Sequence, residues 1–257
     1  MEETLIKALK EAGKIIKENF NLSKCIEQKS HPSQVLTQTD LDSEKIIINT
    51  IKQNFPNHNI LSEEKGFEDN DSEYTWVIDP LDGTSNFAVG IPWFGVIISV
   101  LQDSFPILAG VYLPMTDELY FTKKGFQTTK NNQKLFLKKE AELKNILFSF
   151  SLDNSQGEKY SKLFGKIVDK VRNVRSTNSV LDFCLVMENK FGASLNLNTK
   201  IWDIAGPSLL LNNSGAQVTD FIGKDLEFDL ENPNKDYIFF TSNRKIHLEI
   251  LEILKEQ

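Results

Sequence analysis

The chain has 257 residues, 40% of them hydrophobic and 25% charged, which is enough apolar material for one large domain or two modest ones with a real core. A formal net charge of -7 and a pI near 5.2 weigh against a nucleic-acid backbone or an anionic membrane as partner. The mean hydropathy of -0.29 is that of a soluble globular chain; no apolar stretch reaches the ~20 residues of a membrane span, and Met1-Glu2-Glu3 before a lysine-dotted pattern is not a secretory signal.

Cys25 and Cys184 are far apart with no paired spacing, so a disulfide framework is not indicated and a reducing cytoplasm is the expected setting. Cys184, inside the run Val180–Val186, reads as a buried inert thiol. His31, His58 and His247 are scattered, none at a metal-ligand spacing.

In chain order, Leu5, Leu9, Ala12, Ile16 and Phe20 predict an amphipathic helix over 4–20. The polar segment Lys29–Gln34 reads as a loop, and Val35–Thr39 as a short strand. A second helix follows with Ile47, Ile48, Ile51 and Phe55 on its apolar face, ended by Pro56-Asn57; Thr39 or Asp40 reads as its N-cap. Asn59-Ile60-Leu61 leads into Ser62-Glu63-Glu64, where adjacent carboxylates ordinarily face solvent, and 65–73 reads as a loop. A buried strand over Tyr74–Ile78 should stop at Asp79, because Pro80 cannot donate to a sheet ladder. Asp82-Gly83-Thr84-Ser85-Asn86 then reads as a turn entering a helix. Asp79 and Asp82 are thereby offered beside helix-start amides, an arrangement able to hold a cation and an anion together. A polar strand-to-helix turn without function has the same composition.

Strands at Gly95–Leu101, Ile107–Tyr112 and Glu118–Thr122, with short polar separations, suit an antiparallel meander. A strand over Ile146–Ser151, a helix over about 157–170 and a strand near Val171–Val174 open the second half. The polar turn Arg175–Ser179 precedes a helix around Cys184, and Phe191–Leu197 reads as a strand. A helix from Ile201 through Leu211 ends at Asn212–Gly215, with Pro207 acceptable if it falls near the first turn. This places Asp203 at a helix N-terminus. Ala216–Asp220 and Tyr237–Phe240 read as strands and Lys245–Leu254 as a final helix. The pattern is α+β rather than strict βαβ alternation, divided at 1–142 and 143–257.

Four motifs follow one another along the chain: Thr37-Gln38-Thr39-Asp40; Glu63-Glu64; Trp76-Val77-Ile78-Asp79-Pro80-Leu81-Asp82-Gly83-Thr84-Ser85-Asn86-Phe87; and Trp202-Asp203-Ile204-Ala205-Gly206-Pro207 followed by Gly215-Ala216. Together they resemble the inositol monophosphatase-like phosphatases over nearly the whole chain. The resemblance implies a layered α/β/α/β/α sandwich, a homodimer, and a Mg²⁺-dependent phosphomonoester hydrolase using two or three ions. It implies that Glu63 and Asp79 share metals with the Leu81 carbonyl, that Asp82 and Asp203 hold a second ion, and that the Gly83 and Thr84 amides grip phosphate. It further implies attack on phosphorus by a water oriented by Glu63 and Thr84, with Asp40 nearby, and places Lys29 before a metal-proximal loop, where a solvent-facing lysine is the plain alternative. All-oxygen donors without His or Cys suit a hard cation, and carboxylates gathered in one pocket could not all ionise without one.

The chain departs from the family pattern where substrate is chosen. Asn196 stands where many inositol monophosphatases carry a Glu that meets inositol hydroxyls, and Lys200 stands just ahead of Trp202-Asp203, able to meet a second phosphate. Asn178 replaces a common Gly after Arg175-Ser176, and the Gly-Ala-x-x-Asn-Gly turn is reduced to Phe126–Asn132. Ser176, Asn196 and Lys200 are therefore the candidate substrate contacts. Inositol monophosphate ranks first as substrate; 3′-phosphoadenosine 5′-phosphate and fructose 1,6-bisphosphate are the alternatives. A non-catalytic metal- or phosphate-binding protein is the reading of another class. Partners expected are a small phosphorylated substrate, with no nucleic acid and no membrane.

Overall fold

The computed structural model describes residues 1–22, 25–28, 35–137, 142–151 and 157–255, with the backbone alone for 25–28 and 157–159. Lys29 and the rest of the Lys29–Gln34 segment lie outside the described residues.

The elements in order are α1 (Glu2–Asn19), β1 (Cys25–Gln28), β2 (Val35–Thr37), α2 (Gln38–Asn54), β3 (Asn59–Ser62), β4 (Gly66–Glu68), β5 (Tyr74–Asp82), α3 (Thr84–Ala88), β6 (Gly95–Gln102), β7 (Phe105–Leu113), β8 (Glu118–Lys123), β9 (Thr129–Lys130), β10 (Gln133–Lys134), β11 (Leu147–Ser151), α4 (Gly157–Val168), β12 (Asn173–Arg175), α5 (Leu181–Met187), β13 (Ala193–Thr199), α6 (Ile201–Ser214), β14 (Ala216–Thr219), β15 (Tyr237–Asn243) and α7 (Arg244–Lys255). They form an eight-stranded sheet in the order β10-β9-β8-β7-β6-β5-β3-β4 and a five-stranded sheet in the order β12-β11-β13-β15-β14, beside the small β1-β2 pair. The larger sheet is antiparallel except for β3 beside β5.

Three apolar layers explain the stacking. Leu5, Leu9, Ile16, Ile47 and Ile51 of α1 and α2 pack on Trp76, Ile78, Val96 and Ile98 from one face of the larger sheet. Val77, Ile97, Val111, Phe183, Ile204, Leu210 and Phe239 fill the space between the two sheets, around α5 and α6. Phe148, Phe150, Leu195, Phe240, Ile250 and Leu254 seal the outer face of the smaller sheet under α4 and α7. Helix α6 buries Ile201, Trp202, Ile204, Ala205, Leu210 and Leu211, and apolar residues all round its axis are what a helix held between two sheets requires. The result is the layered α/β/α/β/α sandwich that the resemblance implies.

Several local expectations are corrected. Strand β5 does not stop at Asp79 but runs to Asp82. Its ladder with β6 shifts register between Asp79 and Asp82, so Pro80 occupies an irregularity where no ladder N–H is required. The Pro80 carbonyl accepts from Ser43 Oγ at 2.7 Å instead. Helix α2 starts two residues early: Thr37 is the N-cap and Asp40 is the third helical residue, its carboxylate accepting from the Thr37 N–H at 2.9 Å and the Thr37 hydroxyl at 2.5 Å. The 65–73 loop contains β4, recruited by antiparallel pairing to β3. Pro207 lies in the second turn of α6, where it leaves the Asp203 carbonyl without its usual intrahelical donor.

One buried titratable group lies far from the motifs. His247 of α7 is fully buried, stacked on Phe240 at 4.5 Å, with Nδ1 2.7 Å from Ser242 Oγ and Nε2 3.0 Å from Thr219 Oγ1. No carboxylate among the described residues pairs with it, and burial pushes its pKa down to about 4. A base whose folded pKa is depressed stays neutral while the unfolded chain takes up a proton, so its contribution is intact above pH 6.5 and declines as pH falls from there towards 4. Over that window it removes roughly 3 kcal/mol. Urea unfolding at pH 7.0 and pH 4.5 should therefore show a smaller acid loss in His247→Gln than in the wild type, whatever the absolute stability of the variant.

Candidate active site

The three clustered carboxylates of the motifs come from two places in the fold. Asp79 and Asp82 flank the irregular end of β5, and Asp203 opens α6 from the layer between the sheets. One oxygen from each of Asp79, Asp82 and Asp203 lies within 4.8 Å of the others. Asp79 is 2% exposed, with Oδ1 accepting from the Leu81 N–H at 3.1 Å. Asp82 accepts from the Val180 N–H at the start of α5. Asp203 accepts from the Lys200 N–H at 2.7 Å, closing the first turn of its own helix.

Electrostatics sharpen this geometry. Burial, then the charges of Glu63, Asp82 and Asp203, push the Asp79 carboxyl well above the usual range. Burial does the same to Asp82; the Val180 amide opposes it, while Asp203, Glu63 and Asp182 add to it. Glu63 thus stands close enough to feel both, its own N–H donating to the Ile78 carbonyl at 3.2 Å across the β3–β5 edge. It does not simply face solvent. Three clustered carboxylates, two of them with pKa values pushed up, and only oxygen donors are what a hard divalent cation would relieve, so these residues fit Mg²⁺.

Next to them is the anion-facing half. Gly83 takes φ +85° before α3, and a side chain there would lie 2.6 Å from the Trp93 carbonyl and 3.0 Å from the Ser179 Cβ. Only glycine fits that turn. Thr84 Oγ1 lies 2.9 Å from Asp40 Oδ1 and 2.8 Å from the Leu81 carbonyl. With one hydroxyl hydrogen it donates to one of them at a time. Asp40 is 1% exposed; burial pushes it up to about 6 against the lowering effect of the Thr37 and Thr84 hydrogen bonds. Its helix-start role and its place behind Thr84 therefore belong to one side chain.

The candidate substrate contacts divide. Asn196, in the middle of β13, has a buried Oδ1 with no hydrogen-bond partner among the described residues. Ser176 is exposed on the turn before α5, its Oγ 2.6 Å from Asn178 Oδ1. Lys200 Nζ is 2.6 Å from the Asn234 carbonyl and 2.6 Å from Asp236. Sequence reasoning missed Ser43, Asn86, Val180 and Asp182. Asn86 Nδ2 donates to the carbonyls of Trp93 at 2.9 Å and Thr177 at 2.8 Å, and Asp182 is fully buried. An acid within the apolar run Val180–Val186 was the visible signal for Asp182. Cys184 in that run is fully buried and its thiol is pushed up by burial, as an inert thiol would be.

A buried carboxylate cluster beside a tight amide turn, on this sandwich, defines a metal-dependent phosphatase. The inositol monophosphatase family model matches residues 1–257, and the chain belongs to that family. It is 34% identical over 224 residues to the Nus factor SuhB of Vibrio cholerae, covering 85% of this chain and 84% of that protein. It is 32% identical over 250 residues to the fructose-1,6-bisphosphatase/inositol-1-monophosphatase of Aquifex aeolicus, covering 95% of this chain and 91% of that protein. The solved structure of an IMPase from Thermotoga maritima superposes with a TM-score of 0.87 at 25% identity, covering 98% of this chain and 95% of that chain.

Carboxylate repulsion sets the expectation for stability. Without metal, Asp203→Asn should melt at or above the wild-type temperature, because it removes a charge while an amide oxygen still accepts from Lys200. In millimolar Mg²⁺ the wild type should gain several degrees, and Asp203→Asn far less, read by differential scanning calorimetry.

Proposed function

We propose that the chain is a Mg²⁺-dependent phosphomonoester hydrolase that acts on inositol monophosphate. The carrying observation is the convergence of Asp79, Asp82 and Asp203 within 4.8 Å beside the Gly83–Thr84 turn. In this reading Glu63 and Asp79, with the Leu81 carbonyl, hold one Mg²⁺, and Asp82 with Asp203 holds a second. Bound there, the ions would supply charge neutralisation for the phosphate and lower the pKa of a water. The Gly83 and Thr84 amides, which have no intrahelical carbonyl to meet, orient the phosphate oxygens.

The chain's own proton path is short. Thr84 Oγ1 takes a proton from the attacking water as it passes its own to Asp40 Oδ1, 2.9 Å away. A carboxylate held near pH 6 suits a base working near neutrality. Glu63, beside Asp79, orients that water. Phosphate monoesters are among the slowest substrates to react unaided, with enhancements of up to ~10²¹-fold known, so charge stabilisation supplies most of what is needed.

Substrate preference follows from the unpartnered atoms. Asn196 Oδ1 is an acceptor with no partner among the described residues, and a polyol supplies hydroxyl donors of the kind it lacks. Lys200 is already held by Asp236, which favours a monophosphate over the bisphosphate alternatives. Ser176 lies on the adjacent turn as a further contact. A cytoplasmic homodimer without nucleic-acid partners accords with the family and the net charge of -7. The Nus-factor names of several relatives favour a second reading, a role as a scaffold in transcription without catalysis.

One panel separates these readings. Phosphate release from inositol 1-phosphate, 3′-phosphoadenosine 5′-phosphate and fructose 1,6-bisphosphate should require Mg²⁺, stop on chelation, and give the highest kcat/KM for inositol 1-phosphate. Asp203→Asn should lose at least ~10²-fold in kcat while staying folded. No magnesium-dependent release from any of the three would leave the scaffold reading standing.

A further inference from the structure

The 176–180 turn forms one wall of the carboxylate cluster. Its Val180 amide donates to Asp82 and its Ser179 Cβ abuts the place where a Gly83 side chain would be. Its Thr177 carbonyl accepts from Asn86 Nδ2 of α3 at 2.8 Å, so the turn grips both halves of the site. Very little of its own sequence makes it rigid. Ser176 to Ser179 are all polar, Asn178 has φ 50°, and Ser176 and Asn178 are exposed.

What fixes it lies in α5. The Thr177 N–H points at the Asp182 carboxylate, 3.0 Å from Oδ1 and 3.1 Å from Oδ2. Asp182 is fully buried beside Phe183 and Cys184, in a run that is otherwise apolar from Val180 to Val186. A carboxylate in the first turn of a helix is favoured by the helix dipole, but an exposed one gains that without losing its hydration. Burying it is unfavourable unless its hydrogen bonds do something that an apolar side chain could not. Its oxygens hold the turn through the Thr177 and Asn178 amides, with the Ser149 hydroxyl of β11 beside them.

We propose that Asp182 is a positioning residue of the active site: through the Thr177 amide it fixes the 176–180 turn, so that Val180 orients Asp82 and Ser179 closes over Gly83. Its effect on catalysis rests on the phosphatase reading given above; its effect on the turn and on Asp82 does not. The position is buried from solvent and acts on metal affinity through a backbone amide, as an outer partner of a ligand does.

The test uses the full chain with Asp182→Ala, Asp182→Asn and, as a control in the same buried helix, Cys184→Ala. Hydrogen–deuterium exchange is followed without metal on peptides covering 174–183, and Mg²⁺ affinity is measured by calorimetry. In Asp182→Ala the Thr177 and Val180 amides should exchange faster and Mg²⁺ should bind on the order of 10-fold more weakly. Asp182→Asn keeps one acceptor for Thr177 and should recover most of the affinity, with exchange intermediate. Cys184→Ala should lower the melting temperature while leaving Mg²⁺ affinity at the wild-type value. Wild-type exchange and Mg²⁺ affinity in folded Asp182→Ala would overturn the proposal. If Asp182→Ala does not fold, Asp182→Asn decides, and unchanged exchange at Thr177 overturns it. A wild type inactive on every phosphomonoester would sink the phosphatase reading, yet exchange and Mg²⁺ binding would still judge Asp182.

Discussion

Three carboxylates drawn into a space a few ångströms across, two of them with pKa values pushed well up by burial and by one another, are the constraint around which this chain is arranged. Such a cluster is unfavourable by itself, and the fold has to hold it together against repulsion. It does so with rigid parts: an irregular strand end for Asp79 and Asp82, and the first turn of a helix clamped between two sheets for Asp203. The stability of the sandwich offsets the strain of the site, and a divalent cation is the natural partner that would relieve it.

Two site carboxylates share one structural device. Asp40 and Asp203 are each the third residue of their helix, and each accepts the N–H of the residue preceding the helix, Thr37 and Lys200 respectively. Holding a helix start fixes the rotamer, so the carboxylate reaches the site already oriented. In Asp40 the division of labour is visible atom by atom: Oδ2 serves the Thr37 cap and Oδ1 faces Thr84. Helix initiation and site construction are one interaction there rather than competing roles.

Much of the fold was readable from periodicity: α1, the β6–β7–β8 meander, α6 and α7 all lie where apolar spacing puts them. The misses have local causes. Pro80 suggested an early strand end because the rule about ladder donors ignores a register shift. Strand β4 has too few apolar residues to signal itself and exists because β3 offers an edge. Asp79, Asp82 and Asp203 were legible as ligand types, but their meeting depends on a strand and a helix more than a hundred residues apart in the chain. The Lys200–Asp236 pair was not legible, because nothing in the sequence shows that Asp236 would lie within reach of Lys200. Asp182 escaped notice for the opposite reason, being hidden in an apolar run that read as core.

The central claim is that buried, mutually repelling carboxylates form a cation site. Its direct test is calorimetric Mg²⁺ titration at one pH in two buffers of different ionisation enthalpy. Carboxyl pKa values that burial raises in the metal-free site are lowered by a bound cation, so metal binding is linked to proton release. The account predicts saturable binding with net proton release, seen as a buffer-dependent heat that is lost in Asp79→Asn. Binding with a buffer-independent heat, or no saturable binding at millimolar Mg²⁺, would contradict it.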